Sequence, residues 1–276
     1  MSTCPRVSIV MPSFNETPAV VQASLASVRA QTWSDFECIV VDESTDAERA
    51  QACRQACERD ARFIYVHPSE RIGLPRSLNL GLARARGEYV ARFDSDDLCM
   101  PDRLAQQVAW LDAQPQIGVV GGALEIIDES GATLAYRGYP LAHRDIARGM
   151  QMTTTVAHPT VMFRRALVEQ HGGYDPGFRF SEDLDLWLRW INAGVRFANL
   201  PQRLVRYRQQ NTRRHQNHWR YNLRARLRNF ASPYLLRRAA GICCIALWSA
   251  LPAPLQERVF RALMLRRWHA AGGGVA

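Results

Sequence analysis

Lysine is absent from this chain of 276 residues, and all 35 of its basic residues are arginine. With 26 acidic residues, the formal net charge is +9. The absence of lysine excludes the phosphate-binding loop Gly-x-x-x-x-Gly-Lys, and the pattern Gly-x-Gly-x-x-Gly is also missing. Any site for a phosphorylated ligand must therefore rely on other groups.

The chain also lacks a recognisable leader and a cysteine pattern suited to zinc or disulfides. Residues Met1 to Val10 show no basic segment followed by an apolar one, and the seven cysteines are an odd number. We expect Cys53 and Cys57, which share one helix face, to be buried thiols without a second pair at zinc-site spacing. These features predict a cytoplasmic protein.

Apolar segments of two kinds alternate through the first hundred residues. Continuous apolar runs predict strands at 7–11, 36–41, 62–67 and 88–93, and amphipathic segments predict helices at 18–30, 46–59 and 75–86. Strands joined by helices of this length form right-handed crossovers. The sequence therefore predicts an α/β fold with a mostly parallel sheet flanked by helices, which binds ligands at the carboxyl ends of its strands.

Polar residues follow three of these strands where each ends, at Pro12–Glu16, Asp42–Asp46 and Asp94–Asp97. Asp94, Asp96 and Asp97 place three carboxylates in four residues, and such crowding is unfavourable unless a cation lies among them. The Asp-x-Asp segment therefore indicates a site for Mn²⁺ or Mg²⁺. The alternative is an Asx-turn ahead of a helix that starts near Met100-Pro101.

Five segments, in this order and at this spacing, resemble the family 2 inverting glycosyltransferases of the GT-A fold. The segments are Val7–Glu16, Val41–Asp46, Gly73–Gly81, Gly87–Asp97 and Glu182–Arg189. The resemblance covers about residues 6–208. It implies a Rossmann-like GT-A domain over 1–208, followed by a basic helical extension over 209–276. It further implies transfer of a hexosyl or N-acetylhexosaminyl group from a nucleoside-diphosphate sugar to a glycan or lipid-linked acceptor, in bacterial envelope polysaccharide synthesis.

The resemblance also implies roles on the donor side. The residues implied to bind the nucleotide-sugar are Pro12, Phe14, Glu16, Asp42, Arg76, Asn79, Asp94 and Ser95. Phe14 would stack near the base, Asp42 would accept the imide N–H of the base, and Asp96 would ligate the metal. From the residues alone, the alternatives are that Phe14 belongs to the core and that Asp42 is a helix-capping or turn carboxylate, a role that Asp46 could also serve.

On the acceptor side, the resemblance implies that Asp183 is the general base and that His158, Glu182 and Trp187 contact the acceptor. The alternatives are that Glu182 and Asp183 are first-turn acids that complement a helix dipole, that His158 is a structural hydrogen-bonding group, and that Trp187 belongs to the core. The chain departs from its relatives at Gln209, where many have a histidine. The nearest histidine is His215, so the third protein ligand of the metal stays open.

The C-terminal part is basic. Between Arg203 and Arg238 the chain has no acidic residue, and an apolar segment at 239–251 follows. As a helix this segment would be about 20 Å long, too short for a hydrocarbon core of about 30 Å. With the basic residues 258–267, which we expect to form a helix, it indicates attachment to an anionic membrane surface, peripheral on the inner face. The alternative is a helical cap packed on the catalytic domain.

Two other function classes are weighed against a glycosyltransferase. A sugar-nucleotide pyrophosphorylase shares the βα alternation but requires a glycine-rich phosphate loop and a lysine, and this chain has neither. A non-enzymatic module that binds polyanions or nucleic acid would show a steep salt dependence and no metal-dependent affinity for a nucleoside diphosphate. Nucleic acid is the less expected partner.

Overall fold

Three βα units and a fourth strand build the first third of the molecule, as predicted. The computed structural model describes residues 4–209 and 217–252. The elements are β1 (Val7–Ser13), α1 (Pro18–Arg29), β2 (Phe36–Asp42), α2 (Ala47–Cys57), β3 (Phe63–Val66), α3 (Leu74–Arg84) and β4 (Tyr89–Arg92). These four strands are parallel in the order β3-β2-β1-β4. Every residue of β2 is buried, which explains its continuous apolar run.

The second part of the chain completes a mixed sheet. Its elements are β5 (Leu98–Cys99), α4 (Arg103–Ala113), β6 (Val119–Ile127), β7 (Thr133–Arg137), α5 (His143–Met150), β8 (Met162–Arg164), α6 (Ala166–His171), α7 (Glu182–Asn192) and β9 (Phe197–Arg208). The sheet order is β3-β2-β1-β4-β8-β6-β9-β5, with β7 paired to β6. Only β6 and β9 are parallel here, and the pairs β4–β8, β6–β8, β6–β7 and β5–β9 are antiparallel. The predicted α/β class is confirmed, and the parallel arrangement is confined to the N-terminal strands and this one pair.

Two apolar clusters cover the two faces of the sheet. Successive residues of β1 alternate between them: Ile9 and Met11 pack with α1, α2 and α4, whereas Val10 packs with α3, α5 and α7. Cys53 and Cys57 are buried free thiols on the first face, as predicted. With both faces covered, the polar loops at the carboxyl edge are the open part of the sheet.

Helices α8 (Asn217–Arg228) and α9 (Leu235–Ala250) pack on the catalytic domain. The buried Arg226 donates hydrogen bonds to the carbonyl oxygens of Met150 (2.9 Å) and Gln151 (2.5 Å), at the end of α5. At Gly241 the helix approaches so closely that an added Cβ would lie 2.0 Å from the Gln151 carbonyl oxygen. Over α8 and α9, the structure therefore has the arrangement given above as the alternative, a helical cap packed on the catalytic domain.

Among the described residues, no helix combines the length and hydrophobicity needed to cross a bilayer. The predicted helix at 258–267 and His215 lie outside the described residues.

Candidate active site

Three carboxylates lie together at the carboxyl end of β4. Asp94, Asp96 and Asp97 each offer an oxygen atom, and these atoms lie within 4.8 Å of one another. Asp97 is fully buried, and its Oδ1 accepts a hydrogen bond from the Arg208 backbone N–H at 2.8 Å. Its Oδ2 is buried and has no hydrogen-bond partner within the described part of the chain. Burial, together with the charges of Asp94 and Asp96, raises the pKa of Asp97 well above its ordinary value.

This cluster fits a divalent cation. The donor set consists of oxygen atoms, which Mg²⁺ and Mn²⁺ prefer, and a bound cation would give the buried Asp97 Oδ2 a partner. If a metal binds here, Asp97 would be a candidate for the third protein ligand that the sequence left open. The Gln209 backbone N–H, where relatives were expected to have histidine, donates to the Ile127 carbonyl at 2.9 Å and continues the pairing of β9 with β6.

Glu16, in the loop after β1, faces this cluster. Burial and the charges of Asp96 and Asp94 raise the pKa of Glu16 to about 7, while Arg49 and Arg208 act in the opposite direction. The loops after β1 and β4 therefore meet at the same edge of the sheet. The role of Glu16 in binding the donor stays a prediction.

Asn15, which the sequence reasoning did not select, holds the loops after β1 and β2 together. Its backbone is in the left-handed region at φ 54°, which asparagine tolerates better than most residues. Its Oδ1 accepts hydrogen bonds from the backbone N–H groups of Thr45 (2.9 Å) and Asp46 (3.1 Å). Its own N–H donates to Ser44 Oγ at 2.8 Å. The sequence signal that could have identified this residue is an asparagine in the loop directly after a buried strand.

Phe14 lies at the mouth rather than in the core. It is 37% exposed, and the Arg71 guanidinium lies 3.8 Å from the centre of its ring. Asp42 differs, because it is fully buried and both oxygens are engaged within the protein. Its Oδ1 accepts from Ser44, and its Oδ2 accepts from the Tyr65 hydroxyl at 2.9 Å. Asp42 therefore supports a turn, which was the alternative expected from the sequence. The N–H of a nucleotide base would have to compete with the Ser44 and Tyr65 hydrogen bonds to reach it.

One other predicted donor residue is engaged within the protein. The Asn79 side-chain amide bonds both backbone groups of Tyr174: Nδ2 donates to the carbonyl at 2.7 Å, and Oδ1 accepts from the N–H at 2.9 Å. The prediction for Asn79 is corrected, because the protein itself uses this amide. Ser95 is buried, and its role in binding the donor stays a prediction.

Pro12 and Arg76 stay candidates for the donor side. Pro12 is partly exposed near the end of β1. Arg76 is exposed in the first turn of α3, and its guanidinium makes no ion pair with any residue that the structure describes.

Glu182 and Asp183 begin α7, directly after Ser181, whose backbone is left-handed at φ 58°. Asp183 is partly exposed, and its Oδ1 accepts from the Leu184 N–H at 2.7 Å. Burial and the Asp183 charge raise the pKa of Glu182 to about 8, and Asp94 contributes in the same direction. The N-terminus of α7 therefore lies within electrostatic reach of the cluster after β4. The two motifs are 85 or more residues apart in sequence, and the fold brings them together.

The structure corrects two acceptor predictions. Trp187 is fully buried and packs edge-on against Trp190 and Phe197, so it belongs to the core and cannot line a sugar site. His158 is buried in a 3₁₀ turn rather than at a strand start, and its Nε2 lies 2.8 Å from the Tyr174 hydroxyl. Burial and the nearby Arg92 hold the pKa of His158 well below its ordinary value. The His158 ring packs edge-on against Trp187 of α7.

The chain is similar in sequence to known glycosyltransferases. Residues 8–172, more than half of the chain, match the family model for glycosyl transferase family 2. The amylovoran biosynthesis glycosyltransferase AmsE of Erwinia amylovora is 31% identical over 73% of this chain and 75% of its own length. The O-antigen biosynthesis glycosyltransferase WbnJ of Escherichia coli is 33% identical over 73% of this chain and 79% of its own.

Solved structures confirm the fold. The mannosyltransferase PcManGT from Pyrobaculum calidifontis, in complex with GDP-Man and Mn²⁺, aligns with a TM-score of 0.63 at 22% identity, over 98% of this chain and 84% of that one. TarS of S. aureus, in complex with UDP-GlcNAc, aligns with a TM-score of 0.67 at 17% identity, over 86% of this chain and 71% of that one. The architecture is that of the GT-A glycosyltransferases. With the family model and the two curated relatives, this shows that the chain belongs to glycosyl transferase family 2 and is a glycosyltransferase.

Proposed function

We propose that the protein is an inverting, metal-dependent transferase of a hexosyl or N-acetylhexosaminyl group, from a nucleoside-diphosphate sugar to a hydroxyl of a glycan or lipid-linked acceptor. One observation carries the proposal: the carboxylates after β4 and the Glu182–Asp183 pair lie within electrostatic reach of each other at one edge of the sheet. Relatives that act in amylovoran and O-antigen biosynthesis support a role in envelope polysaccharide synthesis.

On the donor side, Asp94, Asp96 and Asp97 would hold Mn²⁺ or Mg²⁺. When bound, such an ion neutralises negative charge on the departing nucleoside diphosphate. The exposed ring of Phe14 offers a stacking surface for the base, and the exposed Arg76 is a cation for the phosphates. Glu16 closes the same edge, where burial and the charges of Asp96 and Asp94 raise its pKa.

On the acceptor side, Asp183 accepts the proton of the incoming hydroxyl. The hydroxyl oxygen bonds to the anomeric carbon as the bond to the diphosphate breaks on the opposite face, so the configuration inverts. Asp185, the other acid in this turn, is fully buried and bonded to Arg189 (2.9 Å) and Asn229 (2.9 Å), which excludes it as the base. Asp183 is the accessible carboxylate there.

The test compares Asp183→Asn with Asp145→Asn. Asp145 is an exposed first-turn acid of α5, so it controls for loss of a helix-dipole interaction. Asp183→Asn should keep donor affinity and lower turnover by about 10²–10⁴-fold, whereas Asp145→Asn should leave both unchanged. Proton NMR of the wild-type product should show the anomeric configuration opposite to the donor. Retention, or equal small effects of both variants, would reject the mechanism.

We further propose that the outward face of α9 lies on an anionic membrane surface, where a lipid-linked acceptor would be found. This helix buries Arg238 and Gly241 against the domain and exposes apolar residues, with Leu236 88% and Leu247 72% exposed. Exposed arginines on α8, Arg220 and Arg224, add positive charge. The buried Arg226 is engaged internally, so it is not part of this charged surface.

Flotation with phosphatidylglycerol vesicles tests this surface. Replacing both Leu236 and Leu247 by serine should abolish flotation at low salt, because the interface would lose its apolar contacts. The matched control is Leu134→Ser on β7, another exposed leucine. If the double variant floats at the wild-type level, α9 does not bind the membrane and serves only as a helical cap on the domain. Binding gained by truncation after residue 252 would show instead that the chain's own C-terminus covers the face.

A further inference from the structure

The start of α7, which carries Asp183, lacks the usual serine cap. The Ser181 hydroxyl is buried and makes no hydrogen bond to any residue that the structure describes, although a serine at this position commonly accepts from the first N–H groups of the helix. The Ser181 carbonyl oxygen accepts the Asp185 N–H at 3.1 Å and closes the first turn. Because helix ends fray when they are poorly held, the turn that contains Asp183 needs support from elsewhere.

Asn229, the residue that follows α8, supplies this support. It is 6% exposed, and its Nδ2 donates to Asp185 Oδ1 at 2.9 Å, across 44 residues of sequence. The other oxygen of the fully buried Asp185 accepts from Arg189 Nε at 2.9 Å. Loss of the Asn229 amide would leave a buried carboxylate oxygen without this partner, which is unfavourable. The Asn229 side chain therefore holds the residue two positions after Asp183.

The backbone of Asn229 holds the other end of α7. Its carbonyl oxygen accepts from Asn192 Nδ2 at 2.9 Å and from Arg238 Nη1 at 2.5 Å. Arg238, buried in the first turn of α9, also donates from Nη2 to Asn192 Oδ1 at 2.5 Å. Asp185, Arg189 and Asn192 are spaced i, i+4 and i+7, so they lie on one face of α7. The junction between α8 and α9 therefore binds a polar face of the helix that carries Asp183.

The loop that leads into α7 is also held by α8. Arg228 forms an ion pair with Asp175 at the start of this loop. The Tyr221 ring packs edge-on against Phe178 and Phe180, with ring centres 6.1 Å and 5.8 Å away. The chain is therefore held by the cap both before and after the position of the proposed base.

We infer that Asn229 is a positioning residue for sugar transfer: through Asp185 it fixes the first turn of α7, and with it the Asp183 carboxylate. The inference rests on the proposed function, because it assumes that Asp183 is the general base. A general base must come within about 2.6–3.2 Å of the group whose proton it takes. A displacement of about 1 Å in this turn is enough to impair the reaction. The α8–α9 cap is thus part of what places the base, in addition to covering the domain.

Hydrogen exchange followed by mass spectrometry tests the contact without a substrate. Asn229→Ala should speed exchange of the backbone N–H groups in residues 181–188 by about tenfold or more and leave α3 unchanged. The matched control is Asn222→Ala, because Asn222 is a buried asparagine of α8 whose Oδ1 accepts from Arg226 Nε at 2.9 Å, within the same helix. Wild-type exchange at 181–188 in Asn229→Ala, or an equal increase in both variants, would overturn the inference whatever the fate of the proposed function.

A reversed pair separates this hydrogen bond from a general loss of stability. Asn229→Asp alone places two carboxylates against each other, so it should speed exchange at the start of α7 more than Asn229→Ala does. Adding Asp185→Asn restores a hydrogen bond of the opposite polarity and should return exchange to within about threefold of wild type. A double variant that exchanges as fast as Asn229→Asp would also overturn the inference.

Kinetics measure the effect on catalysis, with Asp183→Asn assayed beside the cap variants. Asn229→Ala should lower kcat by about tenfold or more at unchanged donor KM, and the reversed pair should recover it. Asn222→Ala should leave kcat unchanged. The stoichiometry of nucleotide binding by calorimetry counts folded sites and should equal that of the wild type in every variant. If Asp183→Asn lowers kcat as proposed but Asn229→Ala does not, or does so only in proportion to a lower stoichiometry, the inference is rejected and the proposed function stands.

Discussion

Replacing Glu182 by glutamine should stabilise the protein at alkaline pH and not at acid pH. Burial and Asp183 raise the pKa of Glu182 from 4.5 to about 8. Below pH 4.5 the group is protonated in both the folded and the unfolded chain, so it costs nothing. As the pH rises to 8, the unfolded chain ionises first, and the free energy of unfolding falls. Glutamine keeps the shape and acceptor oxygen of the protonated carboxyl and does not ionise.

The magnitude follows from the shift. The full change in pKa corresponds to at most about 5 kcal/mol, at 1.36 kcal/mol per unit. Because Asp183 shares the repulsion, we expect Glu182→Gln to raise the free energy of unfolding by about 2–4 kcal/mol at pH 8 and by less than about 0.5 kcal/mol at pH 4.5. This corresponds to a rise in Tm of about 5–10 °C at pH 8.

Urea unfolding followed by tryptophan fluorescence at the two pH values measures the effect. The control is Glu169→Gln on α6, an exposed carboxylate that forms an ion pair with Arg165, which should change stability little at either pH. A Glu182→Gln variant that gains the same stability at both pH values, or loses stability at pH 8, would refute the assignment of a strained carboxyl to the start of α7.

Other predictions test individual contacts. Asn79→Ala should lower the free energy of unfolding by about 1–3 kcal/mol, because both backbone groups of Tyr174 lose their partner, while calorimetry should show unchanged nucleotide affinity. Gly241→Val should detach α9 from Gln151 and make the C-terminal helix sensitive to limited proteolysis, since its Cβ would lie 2.0 Å from a carbonyl oxygen; resistance equal to wild type would mean that the helix shifts without losing its packing. Phe14→Ala should weaken binding of nucleoside diphosphates with little change in Tm, because the ring is exposed.

The elements of the N-terminal half could be predicted from the sequence because their signals are local. The apolar run of β2 and the proline in the first turn of α1 depend on a few neighbouring residues, and both are where expected. In a parallel sheet the loops after the strands meet at one edge. The proximity of Glu16 to the Asp94–Asp97 segment was therefore predictable from the strand pattern.

What a side chain does there depends on partners distant in sequence. Asn79 is engaged by Tyr174, 95 residues away, and Trp187 faces the core because α7 turns that side inward. Nothing near either residue in the sequence distinguishes these roles from contact with a ligand.

The central claim is that the carboxylates after β4 hold a metal ion that binds the donor. Calorimetric titration of UDP and of GDP, with and without Mn²⁺, into the wild type, Asp96→Asn and the control Asp145→Asn tests it most directly. The account predicts that at least one nucleotide binds the wild type and the control only with Mn²⁺ present, and that Asp96→Asn loses this binding at unchanged Tm. Nucleotide binding that needs no metal, or that survives Asp96→Asn at full affinity, would contradict it.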